Sequence, residues 1–331
     1  MQQRLLNIVR RFSERKLLIV GDSIADKFLY GSISRVSREA PVFILRHEST
    51  ETVPGGAANC ALNLAALGAN VSLVSVAGND EAGNALRDKL SATGVNVEGL
   101  LLSDKLQTTT KVRILAGHAH ANKQQVIRVD YEDTPLKDTS LREAVNERLK
   151  TALDAADAVI LSDYNYGVVD QSAVELVREA RRLKKIPALV DSRFRLSDFS
   201  GFTAATPNED EVEHLIGAPV ETAAELQSAG SRLRQELELD ALLVTRGSRG
   251  MMLLTADTEA LQIPAVGAQA VDGTGAGDTV IATFALALAS DSTFAEAAQL
   301  ANQAGGLVVM KRGTASVTAA ELEQSINDLK P

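Results

Sequence analysis

Five short apolar runs, at 17–22, 71–76, 158–162, 186–191 and 242–245, alternate with stretches of helical periodicity and leave this chain few folds to choose from. Runs this short, apolar almost throughout and ending in turn or polar residues, suit strands buried on both faces of a parallel sheet. Helices are expected between them at 57–67, 81–92, 141–156, 172–183 and 223–237. Strands and helices in alternation imply an α/β fold, a mostly parallel central sheet covered on both faces, and such sheets bind ligands at the carboxyl ends of their strands. Asp22, Asp163, Asp191, Asn208 and Arg246 stand at or just beyond expected strand ends, so several polar groups are expected to converge on one crevice.

Two regions, about 28–52 and 108–131, break the alternation with a period near two. They are expected to pair as a small accessory sheet, inserted at two points, that acts as a lid shielding a reaction from water. A surface hairpin pair that merely extends the fold satisfies the same pattern. Nearly continuous helix is expected from 276 to 309, interrupted around Asp291 and Ser292, with a last helix near 319–329 and a short amphipathic one at the amino end. With no repeat and no Pro/Gly/Ser linker, residues 1–331 are expected to form a single domain plus the lid.

Charge and cysteine content exclude some functions. A net charge of -9 gives no electrostatic case for binding nucleic acid or an anionic membrane. The single cysteine, Cys60, rules out an internal disulfide and a thiolate zinc cluster. No run approaches the roughly 20 apolar residues needed to span a bilayer, and no secretory signal is apparent, so a cytoplasmic location is expected. His118 and His120 lack a third ligand nearby and read as part of a solvated loop.

The chemistry concentrates in Val271-Asp272-Gly273-Thr274-Gly275-Ala276-Gly277-Asp278-Thr279-Val280, directly ahead of a helical run. Glycine permits backbone conformations that let successive N–H groups, here from Gly275 to Asp278, converge on one anion, and the helix dipole adds to the attraction. Asp278 would repel a phosphate that it touched, so it suits a neighbouring hydroxyl that loses a proton as it attacks. An anion cradle beside a base points to phosphoryl transfer to an alcohol. A plain strand-to-helix turn with an acid near the helix start would use some of the same residues. Two further segments agree with the chemical reading. In Pro54-Gly55-Gly56-Ala57-Ala58-Asn59 the glycines permit close approach and Asn59 offers both donor and acceptor to sugar hydroxyls. In Thr206-Pro207-Asn208-Glu209-Asp210-Glu211, Asn208 and Glu211 share one face of a first helical turn, where phosphates and a magnesium shell fit, although capping by Asn208 explains them equally.

With Val244-Thr245-Arg246-Gly247, these segments in this order resemble the ribokinase-like, or PfkB, family of carbohydrate kinases. The resemblance implies a three-layer ribokinase-like fold, ATP and Mg²⁺ as cofactors and K⁺ in many relatives beside the anion hole; a homodimer through the lid is expected because an unpaired sheet edge invites pairing. The resemblance makes Asp278 the general base and Gly275, Ala276 and Gly277 the anion hole. Asn208 and Glu211 fall in the magnesium and phosphate water network, and Thr245, Arg246, Gly247, Gly250 and Asn302 on the nucleotide side. Asp22, Asp26, Gly55, Gly56 and Asn59, with Arg128, Asp163 and Arg193, fall where the sugar is held. Within the family the chain is most similar to kinases that phosphorylate heptose 7-phosphate at its anomeric hydroxyl, on the way to ADP-heptose for lipopolysaccharide. This rests on Ser34 to Val42, Gln124 to Asp130, Leu161 to Tyr164 and Lys311 to Thr314. Departures cluster where the sugar's own phosphate would bind: Asp191-Ser192-Arg193 replaces Asp-Pro-Lys, Tyr166 replaces a lysine, and the insert through Gly117, His118 and His120 is longer. Another sugar or sugar phosphate is the alternative acceptor; a non-catalytic sensor would have lost the base or the cradle, and both are present. No second catalytic domain is expected after Pro331, and a later step to an ADP-sugar is expected to need another protein.

Overall fold

The computed structural model describes residues 1–117, 123–132, 136–256, 258–266 and 271–329. The insert carrying His118 and His120 lies outside the described residues. From the amino end the elements are α1 (Gln2–Arg10), β1 (Lys16–Gly21), β2 (Ser23–Val36), β3 (Phe43–Gly56), α2 (Ala57–Ala66), β4 (Asn70–Gly78), α3 (Glu81–Ala92) and β5 (Asn96–Ser103). Next come β6 (Thr110–Gly117), β7 (Gln124–Tyr131), α4 (Thr139–Leu153), β8 (Ala158–Asp163), α5 (Gln171–Lys184), β9 (Ala188–Ser192), β10 (Ala204–Ala205), α6 (Glu209–Ile216) and α7 (Ala223–Glu236). The chain ends with β11 (Ala241–Thr245), β12 (Met251–Thr255), β13 (Leu261–Ile263), α8 (Ala276–Ala289), α9 (Phe294–Val308) and α10 (Ala319–Asn327).

The central sheet has the order β13-β12-β11-β10-β9-β8-β1-β4-β5, parallel from β11 to β5, with β12 and β13 antiparallel at one edge. Because side chains alternate across a strand, each apolar run feeds two cores at once. Leu17 and Ile19 of β1 join one core with α2, α8 and α9, while Leu18 and Val20 join the other with α4 and α5. The same division holds for Ile160 against Leu161 and for Leu243 against Val244. A strand in this position must be apolar on both faces, which is why these runs show no polar alternation.

A second sheet, β3-β2-β6-β7, grows out of the carboxyl end of the first. β2 starts two residues after β1 ends, and β3 runs directly into α2. The ladder pairs Ser23 with Gly56, so these strands reach back to 23 and forward to 56, beyond the 28–52 suggested by periodicity. The base of this sheet is tied to the central one by Asp22, whose N–H donates to the Ser162 carbonyl and whose carbonyl accepts from Ala57. No helix among the described residues is long and apolar enough to cross a membrane.

Candidate active site

Two cavities open side by side at the carboxyl ends of the central strands. One, of about 360 Å³, is lined by charged groups from both sheets, Asp26, Lys111, Arg113 and Asp191 among them, and by Arg193 after β9 and Asp278 of α8. The other, of about 700 Å³, has a mainly apolar lining that includes Met251, Val266, Ala276, Val280 and Val309. Thr245, Gly273 and Gly277 line both cavities, so the two meet at the start of α8.

That helix start is built to stay open. Most helices here begin with a side-chain cap, as at Asp80, Asp138, Asp170, Thr222 and Thr293. α8 instead begins at Gly275, with φ 77° and no side-chain cap. A β-carbon at Gly275 would be strained by that φ and would lie 2.7 Å from the Asn59 amide nitrogen, so no other residue fits there unaltered. The N–H of Ala276 donates to the Gly273 carbonyl at 3.2 Å, which removes Ala276 from the expected anion cradle. The N–H groups of Gly277 and Asp278 have no hydrogen-bond partner among the described residues, and they sit at the positive end of the helix dipole.

Asp278 is buried, and each of its carboxylate oxygens has a donor. Asn59 Nδ2 reaches Oδ2 at 2.6 Å and Tyr164 Oη reaches Oδ1 at 3.3 Å. Burial pushes the carboxyl up to about 7, against the two hydrogen bonds, which lower it. A carboxylate poised there can take a proton near neutral pH.

Among the sugar-side candidates, Asp26, Gly55, Gly56, Asn59, Arg128, Asp163 and Arg193 all line the charged cavity. Asp26 pairs with Arg113 at 2.9 Å, and Asp163 is held by Ser192 and by Arg195. Asp22 is the exception: it does not line this cavity, because its carboxylate accepts the backbone N–H groups of Tyr164, Tyr166 and Val168 at 2.8, 3.1 and 3.1 Å. It anchors the turn 164–168. On the nucleotide side, Thr245, Gly247, Gly250 and Asn302 line the apolar cavity. Arg246 lines neither, because its guanidinium is buried against Glu209 at 2.9 Å. Asn208 and Glu211 face the charged cavity and also cap α6 reciprocally, each side chain bonded to the other's backbone N–H.

Sequence reasoning passed over Lys111 and Arg113 and gave Tyr164 no role, whereas Asp191, expected at a strand end facing the crevice, does line the charged cavity. Lys111 and Arg113 stand two apart on β6 and so share a face, the one signal that could have exposed them. Lys111 sits in register with Asp26 and Asp130, and its amine lies 3.4 Å from the hydroxyl of Tyr166. Asp191 is pushed well above its ordinary value by burial, with repulsion from Glu211, Asp278 and Asp163 adding to it.

The pfkB family carbohydrate kinase pattern matches residues 16–320. The chain is 41% identical over 317 residues to the bifunctional protein HldE of Pseudomonas syringae pv. syringae (strain B728a), covering 96% of this chain and 64% of that protein. It is 42% identical over 321 residues to the bifunctional protein HldE of Nitrosococcus oceani, covering 96% and 65%. The chain thus spans just under two thirds of the length of these curated relatives. Among solved structures, Arabidopsis thaliana ribokinase complexed with ribose and ATP superposes with a TM-score of 0.73 at 21% identity, covering 94% of this chain and 98% of that one. Escherichia coli phosphofructokinase-2 in complex with substrates and products gives 0.77 at 18% identity, covering 95% and 98%. These structural likenesses establish a ribokinase-like α/β fold. With the family pattern running across nearly the whole chain, the protein belongs to the pfkB family of carbohydrate kinases.

Proposed function

We propose that the chain transfers the terminal phosphoryl group of ATP to heptose 7-phosphate at its anomeric hydroxyl, with Asp278 as the general base. The observation that carries this reading is the meeting of a charged and an apolar cavity at Gly273 and Gly277, beside a buried carboxylate and two unpaired N–H groups. The adenine lies in the apolar cavity, the sugar in the charged one, and the phosphoryl group crosses at the start of α8. Asp278 withdraws the proton from the attacking hydroxyl while the N–H groups of Gly277 and Asp278 take up charge on the transferring group. β2, β3, β6 and β7 act as the lid that excludes water.

A sugar that already carries a phosphate is favoured by Lys111, Arg113, Arg128 and Arg193, all lining the charged cavity. Lys111 brings an amine beside Tyr166, where the resembling kinases have a lysine of their own. Among the described residues no group of three or more His, Cys, Asp or Glu side chains is arranged to hold a metal. That fits a magnesium ion held mainly by nucleotide phosphates and water, with Asn208 and Glu211 reaching it through water. When bound, magnesium would neutralise charge between the phosphates. Asp272, whose carboxylate bonds the N–H groups of Thr274 and Gly313, joins the two loops whose carbonyls would hold K⁺; rates in K⁺ and Na⁺ buffers test this. The lid's edge strands β3 and β7 expose Phe43, Val126, Ile127 and Val129, which suits a homodimer formed there and is tested by sedimentation.

The primary test is ADP release with ATP and magnesium against heptose 7-phosphate, fructose 6-phosphate, ribose, fructose and adenosine. Preference for an unphosphorylated sugar would overturn the heptose assignment and leave the kinase assignment standing. The active form of Asp278 is the carboxylate, so kcat/KM should fall about tenfold per pH unit below about 7 and level off above it. Initial rates from pH 5 to 9 check this, and a flat profile would count against Asp278 as the base.

A further inference from the structure

The base has a partner that the resemblance did not assign. Tyr164 follows β8 directly, lines the charged cavity and places its hydroxyl on Asp278 Oδ1, opposite Asn59 on Oδ2. Both partners are fixed from behind. Asn63 Nδ2 bonds the Asn59 carbonyl and side-chain oxygens at 2.9 and 3.3 Å, and Asn63 Oδ1 accepts from the Thr279 hydroxyl at 2.7 Å, so α2 and α8 close a polar ring. On the other side, the three N–H bonds to the buried Asp22 pin the turn 164–168 that carries the Tyr164 ring. The burial of the Asp22 carboxylate is offset by these three bonds, so the carboxylate and the turn hold each other in place.

We propose that Tyr164 is a positioning residue for Asp278: with Asn59 it locks the carboxylate in one orientation and stabilises its ionised form through a donor on each oxygen. The Tyr164 phenol cannot be the base itself, because the neighbouring Asp278 charge, followed by burial, pushes it well above its ordinary value and keeps it a donor. The other titratable groups facing Asp278 are Asp26 on β2, Asp191 on β9 and Cys60 on α2. Asp26 is paired with Arg113, Asp191 is pushed up by burial and Cys60 is likewise pushed up, which leaves Tyr164 and Asn59 as the hydrogen-bond donors acting on the base.

This inference rests on Asp278 acting as the base. Tyr164→Phe removes the donor and keeps the ring. The acidic limb of kcat/KM against pH is expected to move up by about one unit, the size of one charge-assisted hydrogen bond. The loss should approach tenfold below pH 7 and shrink above pH 9, with the KM for ATP unchanged. In an Asp278→Asn background the same substitution should cost nothing further, because the group it serves is gone. Incorporating 3-fluorotyrosine at position 164, a stronger donor of nearly the same shape, should move the limb the other way, and this arm stands even where phenylalanine disturbs folding. A loss by the same factor at every pH, or one that adds fully to that of Asp278→Asn, would overturn the proposal and make Tyr164 a substrate contact or a packing residue. If Asp278→Asn itself keeps full turnover, the base assignment falls; if it is inactive while neither change at 164 moves the limb, only the role of Tyr164 falls.

Discussion

Asp278→Asn is expected to cut turnover by about 10²–10⁴ and, at the same time, to make the protein more stable above pH 7. The first effect follows from removing the carboxylate that stands next to Gly277, where the two cavities meet, with a donor on each oxygen. The second follows from the direction of its shift. Burial raises the folded-state value to about 7, well above the ordinary carboxylate value, so the folded protein prefers the protonated form. The stability this group contributes is complete below about 4 and is lost as pH rises through about 7. Asparagine is neutral throughout and escapes that loss. We expect a gain of about 1–3 kcal/mol at pH 8 and none at pH 4, read from urea midpoints at the two pH values. An inactive variant with no gain at pH 8 would mean that the charged base is not held against a burial penalty, and the pH-rate limb would need another cause.

The second large effect concerns the sugar's phosphate. Arg193→Met should lower kcat/KM for the phosphorylated acceptor by about 10–100-fold, the cost of one or two charge-assisted hydrogen bonds, and that for its unphosphorylated counterpart by less than about threefold. Arg193 is the cleanest of the four cations to remove. Arg113 is paired with Asp26, Lys111 with Asp130 and Glu132, and Arg128 with Asp130, so their loss would strand carboxylates and blur the result. Arg193 is exposed, stacks over the Phe194 ring and makes no direct ion pair among the described residues, its charge acting only at longer range on Asp191 and Glu211. Equal losses for both acceptors would show that Arg193 steadies the cavity without reading the phosphate.

Much of the fold was legible because its central strands are apolar on both faces. The runs at 17–22, 71–76, 158–162, 186–191 and 242–245 correspond to β1, β4, β8, β9 and β11. The break expected near Asp291 falls between α8 and α9, where Asp291 adopts φ 60°. The strands that escaped notice lie mostly toward the edges or are short. β5 is an edge strand with a mixed burial pattern, β10 has two residues, and β12, Met-Met-Leu-Leu-Thr, is built from residues that favour helix as readily as strand.

The sequence by itself determined five central strands, the glycine-opened helix start ahead of Asp278 and the capping pair Asn208 and Glu211, because each depends on neighbours within a few residues. Only the tertiary structure decided where Asp22, Arg246, Tyr164 and Lys111 spend their polar groups. Asp22 and Tyr164 are 142 residues apart in the chain, and Tyr164 and Asp278 are 114 apart. They meet because β1 lies beside β8 and α8 packs against that part of the sheet. Asp22 and Arg246 read as ligand groups in the sequence, but a buried charge must first be satisfied by whatever the fold brings within reach. For Asp22 that is three backbone N–H groups and for Arg246 the Glu209 carboxylate, and neither choice is written in the residues around them.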